Sequence, residues 1–342
     1  MKEIGGYFEM ELPCRKEFLY SGDGFFGLNS GRHALEFILL GLDDIKEIYL
    51  PLYTCDVILE PIKRLNLKYT FYDINEQFEV EESIFDSIDK GVYIIINNYF
   101  SLKNSYIDNL LDRYSDVSTQ FIIDCCQSLF YFNDKLSYCF YSPRKFVGVA
   151  DGGIAYINCN STKYQNLYES LEVSQSFDKY NHLLKRLDVD ASAGYNDFKI
   201  NSLSLQKAKV MQISKLTMSN ILAIDFSDIK RIRNENYAIL KNNLKEINTL
   251  SYSFLGNASN DGVLFYPLLV HESHAKLLRE YLVKNKVFVP QFWPNIKDWC
   301  SCETVEWKLY NNIIFLPIDQ RYGKVEMMFV INLINNFFKD VK

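Results

Sequence analysis

The chain has 342 residues, of which 48% are hydrophobic, and a formal net charge of −6. That length can bury a large core and favours more than one domain. The acidic balance argues against a nucleic-acid partner, and no apolar run approaches the roughly 20 residues of a membrane span. Acids stand where a signal peptide needs an apolar stretch, so we expect a soluble cytoplasmic protein. The eight cysteines lack the spacing of zinc knuckles, so no metal is expected.

Predicted strands and helices alternate over the first 160 residues. A helical apolar period covers 31–42 and 54–65, and Pro61 should bend or shorten the second of these helices. The run GVYIIINNYF (91–100) is continuously apolar, as expected for a strand buried on both faces. The other predicted elements are strands over 46–51 and 67–74, a helix over 106–115 and a strand that ends at Asp124. This alternation predicts an α/β fold with a mainly parallel sheet between helices.

The later part of the chain has a different pattern. It is polar and mostly helical from 161 to 248, and its clearest long helix covers 228–247. The elements that follow are a strand over 262–270, a helix over 271–286, a strand over 311–319 and a closing helix over 325–338. They predict a smaller α+β domain. We therefore divide the chain into an N-terminal arm (1–20), a large domain (21–235) and a small C-terminal domain (236–342).

A candidate anion site lies in LNSGRHALEF (28–37), where Asn29, Ser30 and Gly31 precede a predicted helix. A helix N-terminus offers free N–H groups and a positive dipole end, and glycine lets an anion approach the backbone. Alternatively, Ser30 is only a helix N-cap. The pattern is neither a Walker nor a Rossmann glycine motif.

Asp124 closes the apolar strand in FIIDCCQS (121–128). The carboxyl edge of an open α/β sheet is where ligands bind. Asp124 could instead cap the following turn. Gln127 lies close enough in sequence to reach the same ligand, or it is a surface glutamine.

Lys145 lies in YSPRKFVGVADGG (141–153), between apolar residues and a glycine pair. We expect this lysine to be buried, which would disfavour its ammonium form and make the amine a better nucleophile. Ser142 could donate to a phosphate or merely end a strand. Arg144 is either another phosphate partner or a surface charge.

A lysine and an aspartate on neighbouring segments of one sheet are the two groups that pyridoxal phosphate (PLP) requires. The lysine forms a Schiff base with the cofactor aldehyde, and the acid keeps the pyridine nitrogen protonated. Lys145 and Asp124 therefore form our candidate cofactor pair.

Seven segments in order resemble the DegT/DnrJ/EryC1/StrS family of sugar aminotransferases. The segments are LNSGRHAL (28–35), YLPLYTCDVILEPI (49–62), FIIDCCQS (121–128), YSPRKFVGVADGG (141–153), AGYNDF (193–198), RIRNENYAIL (231–240) and PQFWP…FLPIDQRYG (290–323). The resemblance implies a fold-type I PLP-dependent transferase. Its large domain would have a mainly parallel, seven-stranded sheet between helices, and its smaller C-terminal domain would be α+β.

The resemblance also implies roles for individual residues. Lys145 would be the Schiff-base lysine, Asp124 the pyridine partner and Gln127 the partner of the cofactor 3-hydroxyl. Asn196 would reach the phosphate in the neighbouring subunit's site. The remaining cofactor-binding residues would be Ser30, Gly31, Arg32 and His33 of the phosphate-binding segment, Ser142, and Tyr53 stacked on the ring.

The chain departs from the family at several positions. NNYFS (97–101) stands where a His-Leu-Tyr-Gly segment is common, so Asn98 and Tyr99 rival Tyr53 as the residue over the ring. Cys55 could occupy the usual aromatic position. The histidine-proline that usually precedes the lysine is Ser142-Pro143 here.

The implied activity is a PLP-dependent amino transfer from an amino acid, with glutamate as the expected donor. The acceptor would be a keto-sugar, nucleotide-linked, in surface-polysaccharide or amino-sugar biosynthesis, and the enzyme would be a homodimer with its site at the interface. Because Lys145 is retained where a dehydratase branch has histidine, transamination is favoured. A non-catalytic binding or regulatory relative and a PLP-dependent dehydratase or epimerase remain as alternatives.

Overall fold

The computed structural model describes residues 10–14, 19–159, 161–250, 254–255 and 261–340. Much of the predicted N-terminal arm, residues 1–9 and 15–18, lies outside the described residues. Tyr20, at the end of that arm, belongs to the core: its ring stacks on Tyr141 with the centroids 4.3 Å apart.

A seven-stranded sheet forms the centre of the fold, in the order β1-β7-β6-β5-β4-β2-β3. Strands β2 to β6 are mutually parallel, whereas β7 runs antiparallel to both of its neighbours. The strands are β1 (Phe25–Leu28), β2 (Glu47–Pro51), β3 (Tyr69–Tyr72), β4 (Val92–Asn97), β5 (Phe121–Asp124), β6 (Tyr138–Tyr141) and β7 (Gly153–Ile157). The predicted mainly parallel sheet of seven strands is confirmed.

Helices cover both faces of this sheet because its central strands are apolar on both sides. Ile95 and Ile122 pack in one core cluster with α1 (Gly31–Gly41), while Ile94 and Ile123 pack in a second cluster with α3 (Asn104–Arg113). The other helices of this region are α2 (Leu59–Arg64), α4 (Ser161–Ser170), α5 (Asn181–Asp188), α6 (Ala191–Lys207) and α7 (Lys215–Leu222).

A second, two-stranded antiparallel sheet is formed by β8 (Phe265–Leu269) and β9 (Ile313–Pro317). Its helices are α8 (Phe226–Leu244), α9 (Glu272–Lys284), α10 (Ile296–Trp299), α11 (Val305–Asn312) and α12 (Lys324–Asp340). One core cluster includes Ile123 and Tyr141 beside the large sheet as well as Tyr266 and Phe315 of the small one. The predicted domain boundary at 235/236 falls inside α8, which is continuous there, and the division stays a prediction.

Two elements differ from the sequence-based expectations. The helix expected over 54–65 is split into a 3-10 turn, Asp56–Ile58, and the short α2, where Pro61 lies in the first turn. The strand expected over 91–100 ends at Asn97, because Phe100 and Ser101 both adopt a left-handed backbone, with φ of 57° and 68°. Within the described part of the chain, no helix is long and apolar enough to cross a membrane.

Candidate functional site

Asp124 ends β5 at the carboxyl edge of the parallel strands, as predicted. Its Oδ1 accepts a hydrogen bond from the N–H of Cys126 at 2.8 Å. Burial raises the pKa of the Asp124 carboxyl, and the charge of Lys145 and the Cys126 N–H oppose that rise. The Lys145 charge and the Cys126 N–H therefore offset only part of the cost of burying the Asp124 carboxylate.

The lysine segment connects β6 to β7 through a 3-10 turn, Pro143–Lys145. The Lys145 N–H donates to the carbonyl of Ser142 at 3.2 Å, and the next residue, Phe146, is buried. Lys145 itself is exposed, so our expectation of a buried lysine is wrong. The apolar neighbours fill the core, whereas the turn leaves the lysine outside it. Its charge still acts on Asp124 and on Cys126, which places the amine at the same edge of the sheet.

The N-terminus of α1 meets the lysine segment closely. A Cβ added to Gly31 would lie 3.2 Å from the Cβ of Ser142 and 3.0 Å from the Sγ of Cys126. A Cβ added to Gly153 would lie 2.2 Å from the carbonyl group of Ser30. Only glycine allows this approach. Three segments that are distant in the sequence, around residues 30, 126 and 142, therefore converge beside Lys145.

The side chains of the predicted phosphate-binding segment are largely engaged by the chain itself. Ser30 is the N-cap of α1, and its Oγ lies 2.8 Å from the Nδ1 of His33. The Nε2 of His33 lies 3.0 Å from the carbonyl oxygen of Ala208. Arg32 forms an ion pair with Glu60. Ser30 therefore acts as the N-cap of α1, because its Oγ accepts from the His33 N–H, and its part in an anion site stays a prediction.

His33 is fully buried. Burial lowers its pKa to about 4, and the nearby positive charges of Arg32, Arg64 and Lys179 act in the same direction, against the Ala208 carbonyl. The ring is neutral near pH 7 and both of its nitrogens have partners. In this chain the His33 side chain stabilises the start of α1, and its part in binding a cofactor stays a prediction.

Gln127 is 5% exposed, and its Nε2 has no hydrogen-bond partner among the described residues. The backbone carbonyl oxygen of Gln127 accepts a hydrogen bond from the hydroxyl of Ser101 at 3.1 Å, which holds the main chain in place. This buried amide donor is therefore available to a water or to a ligand.

Tyr53, predicted to stack on the cofactor ring, lies in the core of the chain. Its ring is 0% exposed and packs edge-on against Trp293, with the centroids 4.7 Å apart. Asn98 and Tyr99, the two rivals, are also buried, and the Tyr99 hydroxyl donates to the Tyr53 carbonyl at 2.7 Å. In this chain all three side chains are packed in the core, and which of them would stack on the ring stays a prediction.

Cys55 is the residue of that segment that lies near Lys145. It is half-buried, and burial raises the pKa of its thiol to about 11 while the Lys145 charge opposes the rise. A thiol thus stands beside the lysine where an aromatic ring was expected from the family pattern.

Helix α6 carries Asn196 and contacts Arg144, which lies in the lysine turn. The guanidinium of Arg144 donates to the Ser202 hydroxyl at 3.2 Å and lies over the ring of Phe198, 5.5 Å from its centroid. Burial lowers the pKa of Arg144 to about 10, and the charge of Arg32 contributes. Asn196 is exposed on α6.

Several buried charged residues were not identified from the sequence, among them Asp151 and Arg233. Asp151 is fully buried and accepts from the Ser176 hydroxyl at 2.5 Å and from the Lys179 ammonium at 3.2 Å. Arg233 is 1% exposed inside α8. A signal was present for Arg233, since it falls on the apolar face of α8 marked by Ile229, Tyr237 and Leu240 at helical spacing.

In comparisons with known proteins, this chain is similar to solved structures but not to any family model or curated sequence. The aminotransferase TlmJ of Streptoalloteichus hindustanus superposes with a TM-score of 0.67 at 13% identity, covering 93% of this chain and 87% of that chain. The PMP form of a Streptococcus pneumoniae protein described as a sugar aminotransferase gives 0.66 at 14% identity, covering 93% and 88%.

The Helicobacter pylori aminotransferase PseC, involved in the biosynthesis of pseudoaminic acid, gives a TM-score of 0.62 at 15% identity, covering 92% of this chain and 87% of that chain. The similarity extends over nearly the whole length of each protein. The chain therefore has the fold of these aminotransferases, the α/β fold that the resemblance of its sequence segments implied.

Proposed function

We propose that the protein is a PLP-dependent aminotransferase. The observation that carries the proposal is the convergence of four groups at one edge of the sheet. They are the Asp124 carboxylate, the Lys145 amine, the N-terminus of α1 beside Ser142, and the unpartnered Nε2 of Gln127. A carboxylate, an amine, an anion site and an amide donor match the parts of PLP one by one.

The residues fit the cofactor as follows. The backbone N–H groups at the start of α1, with the Ser142 hydroxyl, would bind the phosphate. Asp124 would hold the proton on the pyridine nitrogen, and that positive charge would compensate its buried carboxylate. Gln127 would donate its free N–H to the 3-hydroxyl. Bound there, the cofactor would supply a covalent link to the amine of Lys145 and a ring that withdraws electrons from the reacting carbon.

Lys145 would carry the proton transfers. Its exposed side chain can move between a bound state and a free amine without breaking core packing. As a free amine it would be able to accept a proton from the carbon bonded to the substrate nitrogen and return it to the carbon on the other side of that nitrogen. Asp124 remains ionised throughout, because its role is to balance a positive charge and not to exchange protons.

The substrates are an amino donor, with glutamate expected, and a keto-sugar acceptor that we propose to be nucleotide-linked. The Streptococcus pneumoniae neighbour, known in a PLP form and a PMP form, and PseC support a sugar acceptor and this cofactor. The proposed setting is surface-polysaccharide or amino-sugar biosynthesis.

We also propose a homodimer in which Asn196 reaches the phosphate of the partner's site. This is supported by a set of large apolar side chains that are exposed within one stretch of the single chain. They are Phe177, Leu184, Leu187, Tyr195, Ile200 and Leu203. A surface of this kind commonly marks a protein–protein interface.

The test is an absorption spectrum of the purified protein after incubation with PLP, before and after addition of glutamate. The wild type should show a visible band that glutamate bleaches. The variant Lys145→Ala should not form that band in the same way, whereas Lys135→Ala, which removes an exposed lysine paired with Asp112, should behave as the wild type.

A protein that stays colourless with added PLP would contradict the proposal and leave a non-catalytic binding role. A band that glutamate does not bleach, followed by product analysis with a keto-sugar, would instead indicate a dehydratase or an epimerase. For the dimer, Asn196→Ala should weaken PLP binding; unchanged affinity would contradict the contact between subunits.

A further inference from the structure

Arg233 has an unusual environment for a charged group. It is buried in α8 and, among the residues that the structure describes, no carboxylate lies within ion-pair distance of it. Its guanidinium instead donates to three carbonyl oxygens, those of Phe146 at 3.3 Å, Val263 at 3.2 Å and Leu264 at 3.0 Å. It also lies 4.9 Å from the ring centroid of Phe146.

Such an arrangement is a costly way to stabilise a fold. A buried charge loses its hydration, and an apolar side chain of similar volume often gives equal or greater stability. Burial accordingly lowers the pKa of Arg233 to about 10, which still leaves it charged near pH 7. What only a guanidinium can do at this position is to hold several carbonyl groups in fixed directions at once.

One of those carbonyls belongs to the residue that follows Lys145. The Phe146 oxygen accepts from Arg233 and also from the Nε2 of Gln320 at 2.8 Å. The Phe146 N–H donates to the carbonyl of Pro143 at 2.8 Å, inside the lysine turn. The peptide groups on both sides of Phe146 are therefore restrained, one within the turn and the other by α8 and the segment after β9.

The other two carbonyls lead to the small sheet. Val263 and Leu264 precede β8, and the N–H of Leu264 donates to the carbonyl of Phe100 at 3.1 Å. Phe100 is the left-handed residue that follows the end of β4. Arg233 thus joins the lysine turn to the point where the small sheet meets the large one.

We propose that Arg233 and Gln320 are positioning residues for Lys145. They hold the Phe146 carbonyl so that the turn presents the lysine amine towards the Asp124 edge, and they couple that turn to the small sheet. The inference rests on the proposed function for what the amine does, but the restraint on the turn is a property of the chain alone.

The experiment uses the cofactor-free protein and compares wild type with Arg233→Met, Arg233→Lys and Gln320→Met. Amide hydrogen exchange of the 141–149 segment measures how firmly the turn is held. Incubation with PLP, reduction with borohydride and peptide mass spectrometry measure the rate at which Lys145 is linked. Asn248→Ala is the matched control, because Asn248 is also buried and bonded to Tyr266 and Pro267 but does not contact the turn.

In Arg233→Met, we expect faster exchange in the turn and linkage of Lys145 that is about tenfold slower, the order expected when a reacting group loses its orientation. Gln320→Met removes one donor and should give a smaller effect in the same direction. Arg233→Lys keeps the charge but not the fork of donors, so its exchange and linkage rates should be close to those of Arg233→Met. Asn248→Ala should leave both readings unchanged.

Exchange and linkage rates like those of the wild type in Arg233→Met and Gln320→Met would overturn the proposal. So would an equal slowing in Asn248→Ala, because the effect would then follow from general loosening. If wild-type Lys145 forms no link with PLP while the turn loosens only in the Arg233 and Gln320 variants, the restraint stands and the proposed function fails. If Arg233→Met does not fold, Gln320→Met alone decides.

Discussion

Two regions of the molecule differ in how completely they are packed by the chain itself. One is the edge of the sheet around Lys145, and the other is the pair of helices α5 and α6. At the sheet edge, the backbone of Ser30 and Gly153 is in such close contact that no side-chain atom fits between the two segments. On α5 and α6, by contrast, Leu187 is 84% exposed and several other apolar residues are exposed with it.

In the proposed homodimer, this difference would separate the part of the site that one chain forms from the part that depends on a partner. Strand pairing and a helix start fix the sheet edge around Lys145 within the single chain. The helical region has large apolar side chains that are exposed in the single chain, so it is the part that a second copy would complete. Changes in the first region should therefore act on folding and cofactor binding, and changes in the second on assembly.

The largest effect is expected for Gly153→Ala. The added Cβ would overlap the Ser30 carbonyl and the Gly31 nitrogen, at 2.2 Å and 2.5 Å, so backbone must move. We expect the free energy of unfolding to fall by more than about 3 kcal/mol and PLP binding to be lost. Urea unfolding and a fluorescence titration with PLP measure the two.

The control is Gly148→Ala in the same loop, where an added Cβ would meet no atom within 4 Å. That variant should keep its stability and its affinity for PLP. Equal losses of stability and PLP affinity in both variants would mean that any substitution in the loop is harmful. The contact with the start of α1 would then not be the cause.

A smaller effect is expected from acid, through His33. Because its folded pKa, about 4, is below the ordinary value of 6.5, the unfolded chain binds the proton more tightly. The stabilising contribution is therefore present above pH 6.5 and is lost as the pH falls towards 4. Relative to His33→Gln, wild type should lose about 3 kcal/mol of unfolding free energy between pH 7 and pH 4.

Urea unfolding of both proteins at a series of pH values provides this comparison. Taking the difference removes the contribution of the carboxyl groups that titrate in the same range. Parallel curves for wild type and His33→Gln would mean that the imidazole is not held neutral in the folded chain.

For the helical region, Leu203→Asp should weaken assembly and leave folding intact. Leu203 is exposed in the single chain but would be buried in the proposed dimer, where a carboxylate in its place would lose its hydration. We expect the dissociation constant of the dimer to rise at least about thirtyfold, or about 2 kcal/mol. Sedimentation over a concentration series measures it. Val325→Asp, which changes a valine that is exposed on α12 outside this region, should leave the dimer unchanged.

The smallest effect is expected for Gln127→Leu. The buried Nε2 has no partner in the ligand-free chain, so removing it should not lower the unfolding free energy, whereas PLP binding should weaken about tenfold. Gln212→Leu provides the contrast, because its Nε2 donates to Tyr168 and Leu171 carbonyls. That variant should lose stability and keep its affinity for PLP; the reverse pattern would contradict the role given to Gln127.

The sequence predicted the elements that depend on short patterns. The apolar run that ends in Asp124 and the helix that starts after Ser30 needed only local periodicity and end signals, and the structure has both. The order of the seven strands could not be read from periodicity. The resemblance of the segments supplied the fold.

The predictions that failed concern the direction of single side chains. The residues that flank Lys145 are apolar, but a 3-10 turn sends neighbouring side chains to different sides, and the lysine is outside. Tyr53 and Cys55 are two positions apart, and only tertiary packing against Trp293 determines which of them is in the core. Arg233 was missed because an arginine is expected to be exposed, although it lies at helical spacing from the apolar residues Ile229 and Tyr237.

The topology of the sheet also has a consequence for the order in which the chain folds. Among the strands that the structure describes, β1 is at the edge of the sheet and its neighbour is β7, so that Leu28 meets Gly153 far later in the sequence. During synthesis the segment with Ser30 leaves the ribosome early and must wait for most of the sheet before its partner exists. Contacts between such distant segments form late, since the entropy of closing the long loop must first be overcome. A nascent or truncated chain that stops before β7 should therefore have helices and strands but lack the contact between Ser30 and Gly153.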